Sequence, residues 1–146
     1  MPTNQHTADA KIQAILPFSR YVQRLLESEP ELRTELLQNL SHPLLKEEMQ
    51  AFLDADVVAA NNETALHSIL RRLRKRVMLR LVARDLAGLA NLAEVMTGMT
   101  ALAEVTIGFA LECHQSWLSD PERHGSPRGA DSDEIQKMLD NLRKEK

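Results

Sequence analysis

The apolar residues of this chain recur at spacings of three and four positions, which is the period of an α-helix that buries one side. Prolines at positions 17, 30, 43, 121 and 127 divide the pattern into segments. None of these segments shows the two-residue alternation of a β-strand. The sequence therefore predicts an all-α protein.

Three short helices are predicted in series in the first part of the chain. A residue that precedes proline disfavours the helical conformation, so the first helix should end before Pro30, and Pro30 suits the first turn of the second. Ser41 and Pro43 repeat this arrangement at the third helix. The apolar sides are Phe18, Val22, Leu25 and Leu26; Leu32, Leu36, Leu37 and Leu40; and Leu44, Leu45, Met49, Phe52 and Leu53. We expect order from about Asp9 to Ser119, with a looser N-terminus.

Two longer helices should follow. The first has an apolar stripe and should end near Gly88; the candidate N-caps are Asn61, Asn62 and Thr64, and the stripe is Leu66, Leu70, Leu73, Val77 and Leu81. The second should run from Asn91 or Leu92 to Trp117. Its apolar positions include Val95, Met99, Leu102, Val105, Phe109 and Leu111. Because the link between these helices is short, we expect an antiparallel pair.

Composition suggests one helical domain with an appended terminal helix. Residues 1–120 form the predicted domain, and residues 121–133, which begin PERHGSPRGADS, form a polar linker. A short helix is predicted over residues 134–146, because Asp131 and Glu134 have the spacing of a capping box and an apolar side follows. We expect the three short helices to pack on the long antiparallel pair, with the terminal helix loosely attached.

Charge and hydropathy limit the classes of partner. The chain has 146 residues and a net charge of -3, so nothing attracts it as a whole to nucleic acid or anionic lipid. No apolar run is expected to reach the roughly 18 residues that a membrane helix needs, and residues 1–10 lack the features of a signal peptide. The expected location is the cytoplasm.

The strongest local feature is a group of basic residues in the first long helix. This basic cluster contains seven of the 18 Lys and Arg residues: Arg71, Arg72, Arg74, Lys75, Arg76, Arg80 and Arg84. Three interpretations remain open, namely a solvated or intramolecular face, a surface that docks an acidic protein, and a nucleic-acid site. The cluster contains no aromatic residue, which disfavours the nucleic-acid interpretation. We take these residues as a candidate docking face.

The residues that could carry chemistry are poorly arranged for it. The histidines at 6, 42, 67, 114 and 124 have no metal-binding spacing. Cys113 and His114 are adjacent, so on a helix they point about 100° apart, and we expect Cys113 in the core and His114 on the surface. Asp54 and Asp56 sit at a helix end without a Gly-rich loop. The sequence predicts neither a catalytic site nor a metal site.

Two stretches carry a resemblance to a known family. LRRLRKRVMLRLVARDLAGLANLAEVMTGMTALAEVTIGFAL at 70–111 looks like the N-terminal helical region of the bifunctional glutamine synthetase adenylyltransferase and adenylyl-removing enzyme. LPFSRYVQRLLESEPEL at 16–32 is similar to the start of that region. The resemblance spans about residues 16–129. It concerns the helical scaffold alone, because the matching stretches contain no catalytic residue.

The resemblance implies a role in nitrogen regulation. The intact family enzyme moves AMP from ATP to a tyrosine of glutamine synthetase and removes it by phosphorolysis, under the control of nitrogen regulatory proteins and glutamine. Magnesium and ATP are implied for that enzyme, and no cofactor for this chain. After HGSPRGAD the chain is expected to leave the family pattern, before its Gly-rich loop and paired aspartates. No family catalytic residue can therefore be placed on this sequence.

The expected function is that of a scaffold segment of such an enzyme, inactive alone and associated with the remainder of the enzyme if the protein is split. The alternative is a helical interaction module that docks an acidic protein through the basic cluster. Three origins remain open: a truncated gene, a fragment of a longer enzyme, and a free-standing helical module with a new tail.

Overall fold

The computed structural model describes residues 4–119, 137 and 139–143, and within them all regular structure is helical. The all-α prediction is confirmed. The elements are α1 (Asn4–Ile15), a 3-10 turn (Leu16–Phe18), α2 (Arg20–Ser28), α3 (Pro30–Asn39), α4 (Lys46–Ala55), α5 (Glu63–Leu86) and α6 (Leu92–Ser119).

Only part of the predicted linker and terminal helix lies within the described residues. Residues 137 and 139–143, which belong to the predicted terminal helix at 134–146, are helical. The rest of that helix and the whole predicted linker at 121–133 lie outside the described residues. The domain boundaries therefore stay a prediction.

Local chemistry sets the helix ends. Ser19 caps α2 by accepting a hydrogen bond on Oγ from the backbone N–H of Val22, at 3.2 Å. Asn62 caps α5 in the same way, because its Oδ1 accepts from the N–H of Ala65 at 2.8 Å. Pro30 occupies the first turn of α3, where its missing N–H costs no helical bond. These features confirm the predicted boundary at Pro30 and the Asn62 cap.

Helices α5 and α6 run antiparallel. Gly88 has a φ of +74°, a left-handed conformation that glycine adopts without strain, and it turns the chain back after α5. Leu81 then packs against Gly98, while at the far end the indole Nε1 of Trp117 donates to the carbonyl of Ala60 at 3.2 Å. Contacts at both ends thus align the pair over most of its length.

Helix α5 is buried on two sides. One apolar cluster, here called the α6 cluster, joins α5 to α4 and α6 through residues that include Met49, Leu53, Leu66, Leu73, Val77, Leu102 and Phe109. The other, the α1 cluster, joins α5 to α1, α2 and α3 through residues that include Ile12, Val22, Leu36, Leu79 and Ala83. The short helices α1–α3 thus pack on α5 and on one another, whereas α4 contacts both long helices.

Helix α1 was not predicted. We expected a loose N-terminus, yet α1 begins at Asn4 and buries Ala8, Ile12 and Ile15 in the α1 cluster. These three positions are spaced by four and three, which was the available signal. Only these three apolar residues mark the buried side of α1. Their helical spacing alone was too weak a signal to distinguish a helix from a polar terminus.

Four residues placed on apolar sides are exposed instead, and local geometry explains them. Phe18 belongs to the 3-10 turn, because the Ser19 cap starts α2 after it, and Leu45 precedes α4. Met99 and Leu111 of α6 are exposed and do not belong to the α6 cluster.

Helix α6 is also more apolar than we expected. Its residues Leu92–Ser119 are long and apolar enough to cross a membrane by length and composition, which corrects the expectation that no run would meet that test. One such helix is weak evidence, since core helices pass the same test. It does not indicate a membrane protein.

The two glycines of α6 should respond differently to alanine. A Cβ at Gly108 meets nothing within 4 Å, whereas a Cβ at Gly98 lies 2.8 Å from a Cδ atom of buried Leu81. Gly108→Ala should therefore raise the free energy of unfolding by about 1 kcal/mol, as expected for helix propensity alone. Gly98→Ala should lose most or all of that gain, since Leu81 must move. Urea denaturation measures both, and equal stabilisation would contradict the close α5–α6 contact.

Candidate functional site

The basic cluster lies on α5, and Arg84 is one of its two buried members. The Nε and Nη2 atoms of Arg84 donate to the two carboxylate oxygens of Glu94 at 2.9 and 3.0 Å. Nη1 donates to the carbonyl of Leu40 at 2.7 Å, and Nη2 also donates to that of Leu89 at 3.1 Å. Arg84 therefore ties α5 to the end of α3, to the α5–α6 link and to α6. The hydrogen bond from Arg84 lowers the pKa of Glu94.

Arg80 is buried one helical turn earlier. Its guanidinium lies 3.8 Å from a carboxylate oxygen of Glu35 on α3 and 3.9 Å from one of Glu48 on α4. Burial lowers the pKa of Arg80, while the two carboxylates oppose that effect. Because the guanidinium stays charged in proteins, the side chain requires these partners.

Three more members of the cluster bind residues of neighbouring helices. Arg76 donates to Glu35 at 3.0 Å, and its guanidinium lies 3.9 Å above the ring of Phe52 on α4, a cation–π arrangement. The ammonium of Lys75 donates to Glu29 at 2.6 Å. Arg72 lies 3.8 Å from Asp56, at the end of α4. These contacts join α5 to α3, to α4 and to the residue between α2 and α3.

Arg71 and Arg74 differ from the rest of the cluster. Both are exposed, and neither forms a salt bridge with any residue that the structure describes. They line one wall of a groove between α5 and α6, with a volume of about 680 Å³. Met99 and Ile107 of α6 line the other wall.

The structure places the seven residues of the candidate docking face in different environments. Arg80 and Arg84 are buried at 4% and 5% exposure, so they cannot meet a partner without unfolding the region around them. Arg72, Lys75 and Arg76 are already paired within the chain. The sequence could not distinguish these roles, because the carboxylates that bind Arg76 and Lys75 lie 41 and 46 positions away. Whether the remaining residues dock a partner stays a prediction.

The other candidate residues lie where the conservative interpretation placed them. Cys113 is buried in the α6 cluster, and burial raises the pKa of its thiol, which makes it a poor nucleophile. His114 is exposed and meets the edge of Trp117, with 4.7 Å between ring centroids. The sequence correctly placed Cys113 in the core and His114 on the surface.

Asp54 and Asp56 do not fit a magnesium site. Asp54 accepts a hydrogen bond from Gln50 at 2.9 Å, and Asp56 pairs with Arg72. Magnesium prefers several oxygen ligands in octahedral geometry, and a guanidinium beside one of two carboxylates opposes its binding. Within the described residues, no three His, Cys, Asp or Glu side chains are grouped to hold a metal ion.

The described part of the chain is thus an all-α unit whose buried polar groups serve packing and whose chemical side chains are dispersed. Residues 10–139 match the family model for glutamate-ammonia ligase adenylyltransferase. The chain belongs to this family. The match extends beyond the residues 16–129 that carried the resemblance, at both ends.

Individual relatives agree with the family model. The chain is 49% identical, over 94% of its length, to the bifunctional glutamine synthetase adenylyltransferase/adenylyl-removing enzyme of Nitrosomonas europaea. It is 42% identical over 95% of its length to the enzyme of that name from Chromobacterium violaceum, and 33% identical over 86% to that of Bordetella pertussis. The chain spans only 15%, 15% and 14% of these relatives. No solved structure is significantly similar to it.

Removing a buried arginine should be far more damaging than removing an exposed one. Arg84→Gln leaves Glu94 and two carbonyl groups without their donor, so we expect a loss of about 3–5 kcal/mol in the free energy of unfolding. Arg71→Gln should change it by about 0.5 kcal/mol or less. Urea denaturation of the two variants tests the division of the cluster, and similar losses would contradict it.

The pair between Arg84 and Glu94 should make stability depend on pH. The pKa of Glu94 is lower in the folded protein than in the unfolded chain, so its contribution is present above the ordinary glutamate pKa of about 4.3. That contribution disappears as pH falls through the lowered value. The loss of stability caused by Glu94→Gln should therefore be larger at pH 7 than at pH 3. A loss of the same size at both pH values would contradict the pairing.

Proposed function

We propose that this chain is a non-catalytic helical region of a glutamine synthetase adenylyltransferase/adenylyl-removing enzyme and acts as a scaffold for the remainder of that enzyme. One observation carries the proposal. The match covers 94% of the chain and 15% of the Nitrosomonas europaea relative, so the chain corresponds to one part of a much longer protein.

The interior of the chain supports a scaffold role. Two apolar clusters enclose α5, and the buried arginines are hydrogen-bonded or ion-paired to carboxylates of α3, α4 and α6. A piece with its own paired and packed interior can hold a fixed shape, which is what a scaffold for a neighbouring domain requires.

The proposal that the chain is inactive by itself rests on what adenylyl transfer requires. Phosphoryl and nucleotidyl transfer depend on carboxylate-bound metal and on donors that neutralise charge on the phosphates. The acidic pair Asp54 and Asp56 already binds Gln50 and Arg72. In this proposal, magnesium, ATP, glutamine synthetase and the nitrogen regulatory proteins interact with the complete enzyme in the cytoplasm.

Activity measurements test this proposal. Incubated with ATP, magnesium and glutamine synthetase, the purified chain should transfer no AMP; incubated with adenylylated glutamine synthetase and phosphate, it should release none. Mixed with the Nitrosomonas europaea relative from which the matched segment has been deleted, the chain should co-elute in size-exclusion chromatography and raise that protein's activity. Activity of the chain alone would disprove the non-catalytic role, and failure to associate would disprove the scaffold role.

A further inference from the structure

The groove between α5 and α6 has an apolar floor and a basic wall. Leu70, Met99, Leu102 and Ile107 supply apolar surface, and Arg71 and Arg74 stand on the α5 side. Its volume of about 680 Å³ is enough for several large side chains. Recognition of an amphipathic helix commonly uses such a groove, with apolar side chains inserted at intervals of three and four residues.

Helix α6 keeps much of its apolar surface uncovered. Only 22% of its most apolar window is buried within the described fold. Met99 is 42% exposed and Ile107 61% exposed, although both lie on the longest and most apolar of the helices. Contiguous apolar surface of this kind on a soluble protein is typical of an interaction site.

The charges beside the groove indicate what would occupy it. Five members of the basic cluster are paired with Glu29, Glu35, Glu48, Asp56 and Glu94. Arg71 and Arg74 have no such partner among the described residues, and both face the groove. An occupant with carboxylates next to its apolar residues would therefore complement the site.

We propose that this groove binds an amphipathic helix that carries acidic residues beside its apolar side, and that this helix belongs to the part of the adenylyltransferase outside the matched segment. The inference rests on the proposed function and adds the contact surface to it. The apolar side of the helix covers Met99 and Ile107, and its carboxylates pair with Arg71 and Arg74.

Two other occupants fit the groove less well. A second copy of the chain in a symmetric dimer would bring the same surface to face itself, which places the Arg71 and Arg74 charges of both copies in one interface with no carboxylate among the groove-lining residues. A bilayer is flat, so it would contact the rims of a groove and leave its apolar floor uncovered, whereas an interfacial helix presents a projecting apolar side.

The test measures binding of the full chain to the Nitrosomonas europaea relative that lacks the matched segment. Met99→Gln/Ile107→Asn alters the apolar wall, and Leu92→Gln/Leu118→Asn is the matched control on exposed residues at the two ends of α6. Arg71→Gln/Arg74→Gln removes the two arginines that line the groove, and Arg20→Gln/Arg24→Gln on α2, which lie outside the groove lining, is its control. All the altered side chains are exposed, so circular dichroism should show the native helix content for each variant.

We expect the apolar groove variant to weaken binding by about tenfold or more, because polar groups would be buried without partners. The Arg71/Arg74 variant should weaken it by roughly threefold to tenfold and reduce its dependence on salt. Both controls should bind within about twofold of the unaltered chain, the scatter expected for exposed positions outside the contact.

The experiment distinguishes failure of the scaffold proposal from failure of the groove inference. If the unaltered chain does not bind, the scaffold proposal fails and this inference fails with it. If it binds and the groove variants bind equally well, the scaffold proposal stands and the groove inference is wrong. Light scattering that shows a dimer lost on Met99→Gln/Ile107→Asn, or binding of the chain to vesicles of anionic phospholipid that the same variant abolishes, would overturn the choice of occupant.

Discussion

The burial of α5 on two sides is the constraint on which the rest of the structure depends. The α6 cluster covers one side of α5 and the α1 cluster covers another around Leu79 and Ala83, so residues 77–84 of this helix are all buried or partly buried. Arg80 and Arg84 fall where the two clusters meet, and a buried guanidinium without partners would cost several kcal/mol. The neighbouring helices supply those partners through Glu35, Glu48 and Glu94. The positions of α3, α4 and α6 around α5 therefore depend on the ion pairs that Arg80 and Arg84 form with these helices.

The helical architecture was predictable from the sequence wherever local chemistry decides it. The cap at Asn62, the proline at position 30 and the turn at Gly88 act within a few residues of their own position, so a linear pattern contains them. The Ser19 cap is equally local but was not predicted, because Phe18 was assigned to the helix that follows. The two-sided burial of α5 was not predicted. Leu79 and Ala83 lie off the stripe of the α6 cluster, which was the signal, but a stripe on a long helix does not reveal how many neighbours cover it.

For the candidate site, the sequence predicted which residues form the basic cluster but not what each of them contacts. The sequence identified the basic cluster, yet the roles of its members depend on residues distant in the chain. Lys75 pairs with Glu29, and Arg76 pairs with Glu35, because the fold brings them together. A charge run gives no information about which of its members face the interior. Five of its members are paired and two form no salt bridge with a described residue, and this division depends on which carboxylates the neighbouring elements bring next to α5, which no local pattern encodes.

Arg71 and Arg74, which form no salt bridge with any described residue, lie beside exposed apolar residues of α6, and this combination has a physical meaning. A surface that served only solubility would disperse its charges and cover its apolar residues. In the groove between α5 and α6, Arg71 and Arg74 adjoin the exposed apolar side chains of Met99 and Ile107. In the proposal made above, contact with the remainder of the adenylyltransferase accounts for this combination, and the chain spans only 15% of the Nitrosomonas europaea relative.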